Sequence, residues 1–279
     1  MKAIVTFLGS GTSHGVPMIG CTCAVCQSTD PRDRRSRPSV HINVEDGPAI
    51  LIDTSTDLRH QALANRITRI DAILFTHSHA DHIMGLDDVR RFNVMQGGDI
   101  PAYADERTAD DLRRTFSYIF NPPSEKGGGV PQLALATIAG RFNVGGVGIQ
   151  PVPIFHGKRP ILGYRLGNFA YLTDGSRLPD EAWPLLADLD VLVLNALRHR
   201  PHPTHFTVAE ALEVVDRVKP RQTYLTHICH DLPHAATNAS LPAGVELAYD
   251  GLVVTIDAGD ASSSADAKAS ADKSEDGWR

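Results

Sequence analysis

Six consecutive residues, His77-Ser-His-Ala-Asp-His82, concentrate side chains able to bind metal within the stretch LFTHSHADHIMG. Three imidazoles and a carboxylate offer nitrogen and oxygen donors able to bind metal. In an extended segment alternate residues point the same way, so His77 and His79 can share one metal. Asp81 and His82, beyond a turn, can face a second. The competing structural reading, a solvated polar turn, does not account for four such groups directly after a buried strand. A second cluster lies upstream in Cys21-Thr-Cys23-Ala-Val-Cys26, and the remaining cysteine is Cys229. Cysteines so close along the chain resist bridging one another, and in a reducing compartment this spacing points to a bound metal.

These groups need a scaffold, and the rest of the chain reads as one. Apolar and β-branched runs predict strands at residues 2–8, 71–76, 101–104, 133–138, 141–144, 147–154, 161–166, 169–173, 191–194, 221–226 and 246–256. Residues 39–44 and 49–53 predict a hairpin that turns at Asp46-Gly47. Helices are expected at 58–66, capped from the segment Asp53 to Asp57, from Gly85 onward, and at 108–119, 178–187 and 207–218. The last opens on a Thr207/Glu210 capping box. Strands in two series, each interleaved with helices, imply an α/β four-layer αββα sandwich: two packed sheets with helices outside. Residues 1–257 are expected to form one domain with a metal-binding insert at 20–38. Residues 258–279 are too polar to pack and are expected to form a disordered tail. Residues 121–130 read as a flexible loop, with a lid over the site as the alternative to a surface linker.

Composition narrows the function. The 279 residues carry a formal charge of −6, which argues against tight nonspecific binding to a polyanion. No stretch is apolar for the roughly 18 residues that a membrane span needs, and MKAIVTFLGSG reads as a first strand, not a signal peptide, so a cytoplasmic protein is expected. Four arginines between Arg32 and Arg37 invite phosphate, although a solvated loop is the blander reading. Four separated loops each begin where a predicted strand ends: His77 to His82, His156, Asp174 and His227. Ligands at strand ends can converge on one rim of a sandwich.

This pattern, a His-x-His-x-Asp-His loop followed by a lone histidine, a lone aspartate after a strand and a last histidine after Tyr-Leu-Thr, resembles the metallo-β-lactamase superfamily of dinuclear metal hydrolases. The resemblance runs from the first strand to about Ile256. It implies that His77, His79 and His156 hold one divalent metal, that Asp81, His82 and His227 hold the other, and that Asp174 bridges them. It implies hydrolysis by a water whose pKa the two metals lower to give hydroxide near neutral pH, with Asp81 also orienting that hydroxide.

The amino-terminal half sharpens the resemblance. Gly-Thr-Ser-His-Gly-Val-Pro, then Gly20-Cys-x-Cys-x-x-Cys26 and the arginine-rich segment, resemble the phosphoribosyl cyclic phosphate phosphodiesterase branch. That branch implies a structural zinc on Cys21, Cys23, Cys26 and His230, with Cys229 as a rival for the fourth position. It also implies a general-acid histidine just before the helix that precedes the last strand, and His205 matches. A histidine near neutral pKa suits that work. His199 and His202 are expected to shape the pocket, and Arg177, Arg198 and Arg200 are candidate phosphate anchors. His41, His60 and His234 are expected to be structural or surface residues. His14, in the glycine-rich loop, is expected beside the site.

The leading expectation is a phosphodiesterase acting on a small cyclic phosphate ester, such as cyclic phosphoribose or a 2′,3′-cyclic nucleotide, with a homodimer as a possible assembly. A transfer-RNA 3′-processing endonuclease shares the seven metal ligands, but the acidic balance and the lack of a long basic arm make a nucleic-acid partner unexpected. Thioester or lactam hydrolysis leaves the cysteine cluster and His205 unexplained. A non-catalytic accessory protein of quinone-cofactor biosynthesis resembles the chain at Gly20 to Cys26.

Overall fold

The computed structural model describes residues 1–121 and 129–259. Its strands are β1 (Lys2–Gly9), β2 (Ser39–Val44), β3 (Ala49–Ile52), β4 (Ala72–Leu74), β5 (Ile100–Ala104), β6 (Leu133–Thr137), β7 (Phe142–Val144), β8 (Val147–His156), β9 (Arg159–Leu166), β10 (Phe169–Leu172), β11 (Val191–Asn195), β12 (Gln222–Thr226), β13 (Val245–Leu247) and β14 (Val253–Asp257). They form two seven-stranded sheets, in the orders β14-β1-β2-β3-β4-β5-β6 and β13-β12-β11-β10-β9-β8-β7.

The period of two along each strand explains how the sheets stack. In β3, Ile50 and Ile52 face the core between the sheets while Leu51 faces the outer helices. In β11, Val191 and Val193 enter that same central core, and Leu192 and Leu194 pack outward. Both sheets are therefore apolar on both faces. Three cores separate four layers, with helices such as Glu106–Thr115 on one outside and Val208–Val218 on the other. This is the αββα sandwich implied by the order of elements.

Several boundaries differ from the sequence expectation. The single strand expected at 246–256 is two: β13 joins the second sheet, whereas β14 crosses back to pair antiparallel with β1. Tyr249 to Leu252 make that crossing. The helix expected at 108–119 breaks at Phe116 into Glu106–Thr115 and Ser117–Phe120, and residues 180–186 wind as a 3₁₀ helix around Pro184. Asp57 precedes its helix without a side-chain cap; its carboxylate binds Arg37 instead. The Thr207/Glu210 capping box forms as expected. Ala258, placed in the tail by composition, is buried, and its N–H donates to the carbonyl of Met1. Most of the loop read at 121–130, including any lid function, and the tail beyond Gly259 lie outside the described residues.

Candidate metal centre and active site

β10, β11 and β12 run parallel, so their carboxyl ends share one rim. Asp174 follows β10 and His227 follows β12. From the other sheet, β4 leads into His77, and the short helix Ala80–Ile83 begins directly after His79 and carries Asp81 and His82. His156, expected just beyond a strand, is the last residue of β8, because β8 and β9 form a long hairpin that pairs His156 with Arg159.

These seven side chains meet at the rim. Donor atoms of His77, His79, His156 and Asp174 lie within 4.8 Å of one another, as do those of Asp81, His82, Asp174 and His227. Asp174 belongs to both groups. Its Oδ2 is 3.2 Å from His227 Nε2 and its Oδ1 is 3.3 Å from His82 Nε2. Asp81 Oδ2 lies 3.4 Å from His82 Nε2 and 3.5 Å from His227 Nε2.

Hydrogen bonds on the far side of the rings set their tautomers. His156 Nδ1 sits 2.7 Å from the carbonyl of Asp174 and 2.9 Å from that of Thr204. Carbonyls only accept, so Nδ1 carries the proton and Nε2 is left with a free lone pair. His82 Nδ1 donates to Asp53 Oδ2 at 2.7 Å. Thr76 donates its hydroxyl to the same Asp53 oxygen, so its own oxygen accepts from His77 Nδ1. Nε2 of His77, His82 and His227 is in each case buried without a hydrogen-bond partner. Bare nitrogens this deep carry a cost unless partnered, and a cation would satisfy them.

Electrostatics agree. Burial opposes the charge on Asp174 and Asp81, yet the neighbouring His227 and His82 outweigh it and hold both carboxyls well below their usual range. His82 is itself desolvated, but Asp174, Asp81 and Asp53 together push it well above its usual value. The cluster of carboxylates thus recruits positive charge at the position where metal would sit. The nitrogen and carboxylate donors fit divalent cations of the zinc or manganese kind.

Three residues here adopt left-handed backbone conformations without being glycine: Asp53 (φ 63°), Asp174 (φ 57°) and His227 (φ 54°). Each immediately follows or closely trails a strand end, and such strain persists only where surroundings over-determine it. Asn195 supplies part of that hold, since its amide exchanges two hydrogen bonds with the backbone of Gly175. A Cβ on Gly175 would lie 2.0 Å from Ile154 Cδ1, so only glycine fits beside Asp174.

His205 stands next to the cluster, with its ring centroid 4.7 Å from those of both His156 and His227. His202 stacks on its other side at 5.0 Å. Burial, reinforced by His227, lowers the His205 pKa to about 3, so the isolated ring is neutral at pH 7 and not poised near it as expected. A cavity of about 330 Å³ opens from His202 and His205 and is also bounded by His14, Gly15, Met18, Arg198 and Arg200. His14 lies beside the site as expected.

The other candidates separate clearly. Arg177 lies over the Phe155 ring, Arg200 pairs with Asp231 at 2.8 Å, and His199 is exposed. His60 is exposed, whereas His41 is buried and bonds the carbonyl of Arg69. The arginine-rich segment is not a simple solvated loop. Arg35 is fully buried, paired with Asp33 and donating to the carbonyls of Cys229 and Leu232. It ties the cysteine loop to the segment that follows His227.

The same tie brings the second group together. Sγ of Cys21, Cys23 and Cys26 lie 3.2, 3.4 and 3.6 Å from His230 Nδ1. Cys229 is not in this group; its thiol accepts the Asp231 N–H. The Cys26 N–H donates to Cys23, which lowers that thiol to about 6, whereas burial raises Cys26 to about 11. Three sulfurs and one nitrogen are a donor set suited to structural zinc.

The family model of the β-lactamase superfamily domain matches residues 49–228, which take in all seven rim residues and His205. The chain belongs to the metallo-β-lactamase superfamily. Within it, a crystal structure of a diphosphatase from the PhnP family shares 48% identity and superposes with a TM-score of 0.86, over 92% of this chain and 98% of that one, placing the chain in a PhnP-like branch. An octanoyltransferase of Porphyromonas gingivalis is 39% identical over 256 residues, 90% of this chain. The chain spans about half (51%) of that curated relative's length. Zinc-bound PqqB from Methylobacterium extorquens has the same fold, with a TM-score of 0.76 at 18% identity over 90% of this chain and 99% of that one.

Sequence reasoning did not single out Asp53 as the partner of His82 or Asn195 as the brace of Gly175. Asp53 was visible only as part of a helix-capping run. Its burial and left-handed backbone depend on β3 and β4 lying side by side, a pairing no local pattern reveals. No helix among the described residues is long and apolar enough to cross a membrane.

Proposed function

We propose that this protein is a metal-dependent phosphohydrolase that cleaves a phosphodiester bond, or the related diphosphate bond, in a small substrate. One observation carries the reading: His205 stands between the two-group donor cluster joined by Asp174 and a cavity with two arginines at its wall. The similarity to a diphosphatase of the PhnP family supports it. Small cyclic phosphate esters, cyclic phosphoribose and 2′,3′-cyclic nucleotides, belong to the same substrate class. The modest cavity and the net charge of −6 favour them over transfer RNA.

His77, His79 and His156 would hold one cation, Asp81, His82 and His227 the other, and Asp174 both. Bound there, two zinc or manganese ions supply a water of lowered pKa and neutralise charge on the phosphoryl oxygens. Asp81 is held ionised and can accept a hydrogen bond from the attacking water. His205 gives a proton to the departing oxygen. Burial, reinforced by His227, favours the neutral ring, and an anionic phosphoryl group beside it would act in the opposite direction, favouring the protonated ring. The three cysteines and His230 would hold a structural zinc.

The test is a hydrolysis screen with bis(p-nitrophenyl) phosphate, 2′,3′-cyclic nucleotides, cyclic phosphoribose, a thioester and a β-lactam, each with zinc and with manganese. Phosphate esters should turn over, and His205→Ala should keep its metal but lose about 10²–10⁴ in kcat. A protein that binds its metals yet cleaves no phosphate ester would be an accessory protein on a hydrolase scaffold.

A further inference from the structure

Three residues of β9 reach across to the segment that enters the first metal loop. The Tyr164 hydroxyl donates to the carbonyl of Phe75 at 2.6 Å, and the Leu162 N–H to that of Thr76 at 3.1 Å. At the start of the strand Arg159 Nη2 donates to Ser78 Oγ at 2.8 Å. Successive points of residues 75–78 are thus tied to the second sheet, and the last tie lies at the rim.

Ser78 sits between two of the rim donors, and in an extended segment its side chain points away from those of His77 and His79. Its hydroxyl donates to Asp111, on the outer helix Glu106–Thr115. Arg159 Nη2 lies 3.4 Å from the same Asp111 oxygen, and Arg114 pairs with the other. The Ser78 hydrogen bond, joined by the charges of Arg114 and Arg159, holds the Asp111 carboxyl below its usual range. The Arg159 side chain is only 17% exposed, so this contact is screened less than a surface ion pair.

Arg159 also stands directly opposite His156 in the β8–β9 hairpin. Its bonds therefore fix the end of that hairpin against the loop of the other sheet, where the His79 and His156 rings lie with centroids 5.0 Å apart. The remaining side-chain bonds at this end, Gly157 N–H to Ser176 Oγ and His156 Nδ1 to the carbonyls of Asp174 and Thr204, stay within the second half of the chain. The second donor group is braced elsewhere. Thr56 and Thr54 donate to the carbonyls of Ala80 and Ile83, at the two ends of the helix carrying Asp81 and His82, and Asp53 holds the His82 ring.

We infer that Arg159 is a positioning residue for one cation of the pair: by binding Ser78 and Asp111 it holds His156 at the distance from His77 and His79 that a shared metal needs. The inference rests on the two-cation reading above and adds that the two cations depend on different supports. Donors drawn from two sheets hold a metal only while their separation is kept to about 0.5 Å, and losing a partner that orients a ligand costs about 10–100-fold in metal affinity.

The test strips the full-length protein of metal and titrates it with zinc against a chromophoric chelator. Arg159→Gln should weaken one rim equivalent by about 10–100-fold and leave the other rim equivalent and that of the cysteine cluster unchanged. Arg159→Lys, which keeps a charged donor, should restore part of the loss, and Ser78→Ala should reproduce a smaller share of it. In His156→Ala, which already lacks a donor of the first group, adding Arg159→Gln should change nothing further. Melting of the metal-free proteins separates this effect from a general loss of stability. Unaltered zinc binding in Arg159→Gln, equal weakening of all three equivalents, or an effect that persists in His156→Ala would overturn the inference; if Arg159→Gln does not fold, unaltered binding in Ser78→Ala overturns it. A protein that takes up no zinc at the rim sinks the inference together with the two-cation reading. One whose rim zinc depends selectively on Arg159 but that cleaves no phosphate ester upholds the inference, while the phosphohydrolase reading falls.

Discussion

The protein contains two candidate metal regions built on opposite plans. The rim cluster draws its donors from both sheets and from four separated loops, uses nitrogen and oxygen only, and is braced by buried partners such as Asp53 and the Asp174 carbonyl. The cysteine cluster takes three of its four donors from six consecutive residues and is only partly buried. A set of three sulfurs and one nitrogen can satisfy a metal fully, whereas the rim adjoins His205 and, through it, the cavity. One region depends on the fold to exist. The other helps create the fold around it, by fastening the loop that walls the cavity.

The largest expected contrast is at Asp174, which serves both rim groups. Asp174→Ala should abolish turnover, by about 10³-fold or more, and lower the rim's metal content while the cysteine site keeps its own; metal analysis beside kinetics checks both. Next is Asp53, which touches no bound group but orients His82. Asp53→Asn should cost about 10–100-fold in metal affinity or activity, visible as a rightward shift in a metal-reconstitution curve.

On the other side of the comparison, Cys23→Ser should release the metal of the cysteine cluster, lower stability by on the order of 2 kcal/mol, and raise KM more than it lowers kcat, because the loop it anchors borders the cavity and not the reacting centre. Thermal melting and steady-state kinetics read these out.

The smallest effect is at His234, which is buried near the cysteine cluster and, through burial and then the charges of Arg32 and Arg35, has its pKa lowered to about 4. The unfolded chain takes up this proton near pH 6.5 and the folded one only near 4, so stability is full above pH 6.5 and falls between 6.5 and 4 by roughly 3 kcal/mol. Denaturant melts of His234→Phe should show a shallower loss across that window.

The two regions also differed in how far the chain disclosed them. Cysteines packed at Cys21, Cys23 and Cys26 announce a metal from spacing alone, and the geometry selects His230 over Cys229 because the buried Arg35 clamps the carbonyl of Cys229 and the next residue faces the loop. The His77 to His82 loop was equally legible. His156, Asp174 and His227 were legible only as residues at strand ends, and their convergence required two sheets in register. The layers followed from apolar periodicity, but the crossing of β14 back to β1 did not, because residues 246–256 have no strong breaker except Gly251. The low pKa of His205 was hidden too, since it comes from imidazoles distant in sequence.

Metal stoichiometry on the purified protein tests the account most directly. Mass-spectrometric metal analysis should find three equivalents per chain, one for each donor group, with Cys23→Ser losing one and Asp174→Ala losing metal only from the rim. A single equivalent in the reconstituted protein, or an Asp174→Ala variant that retains all three, would contradict it.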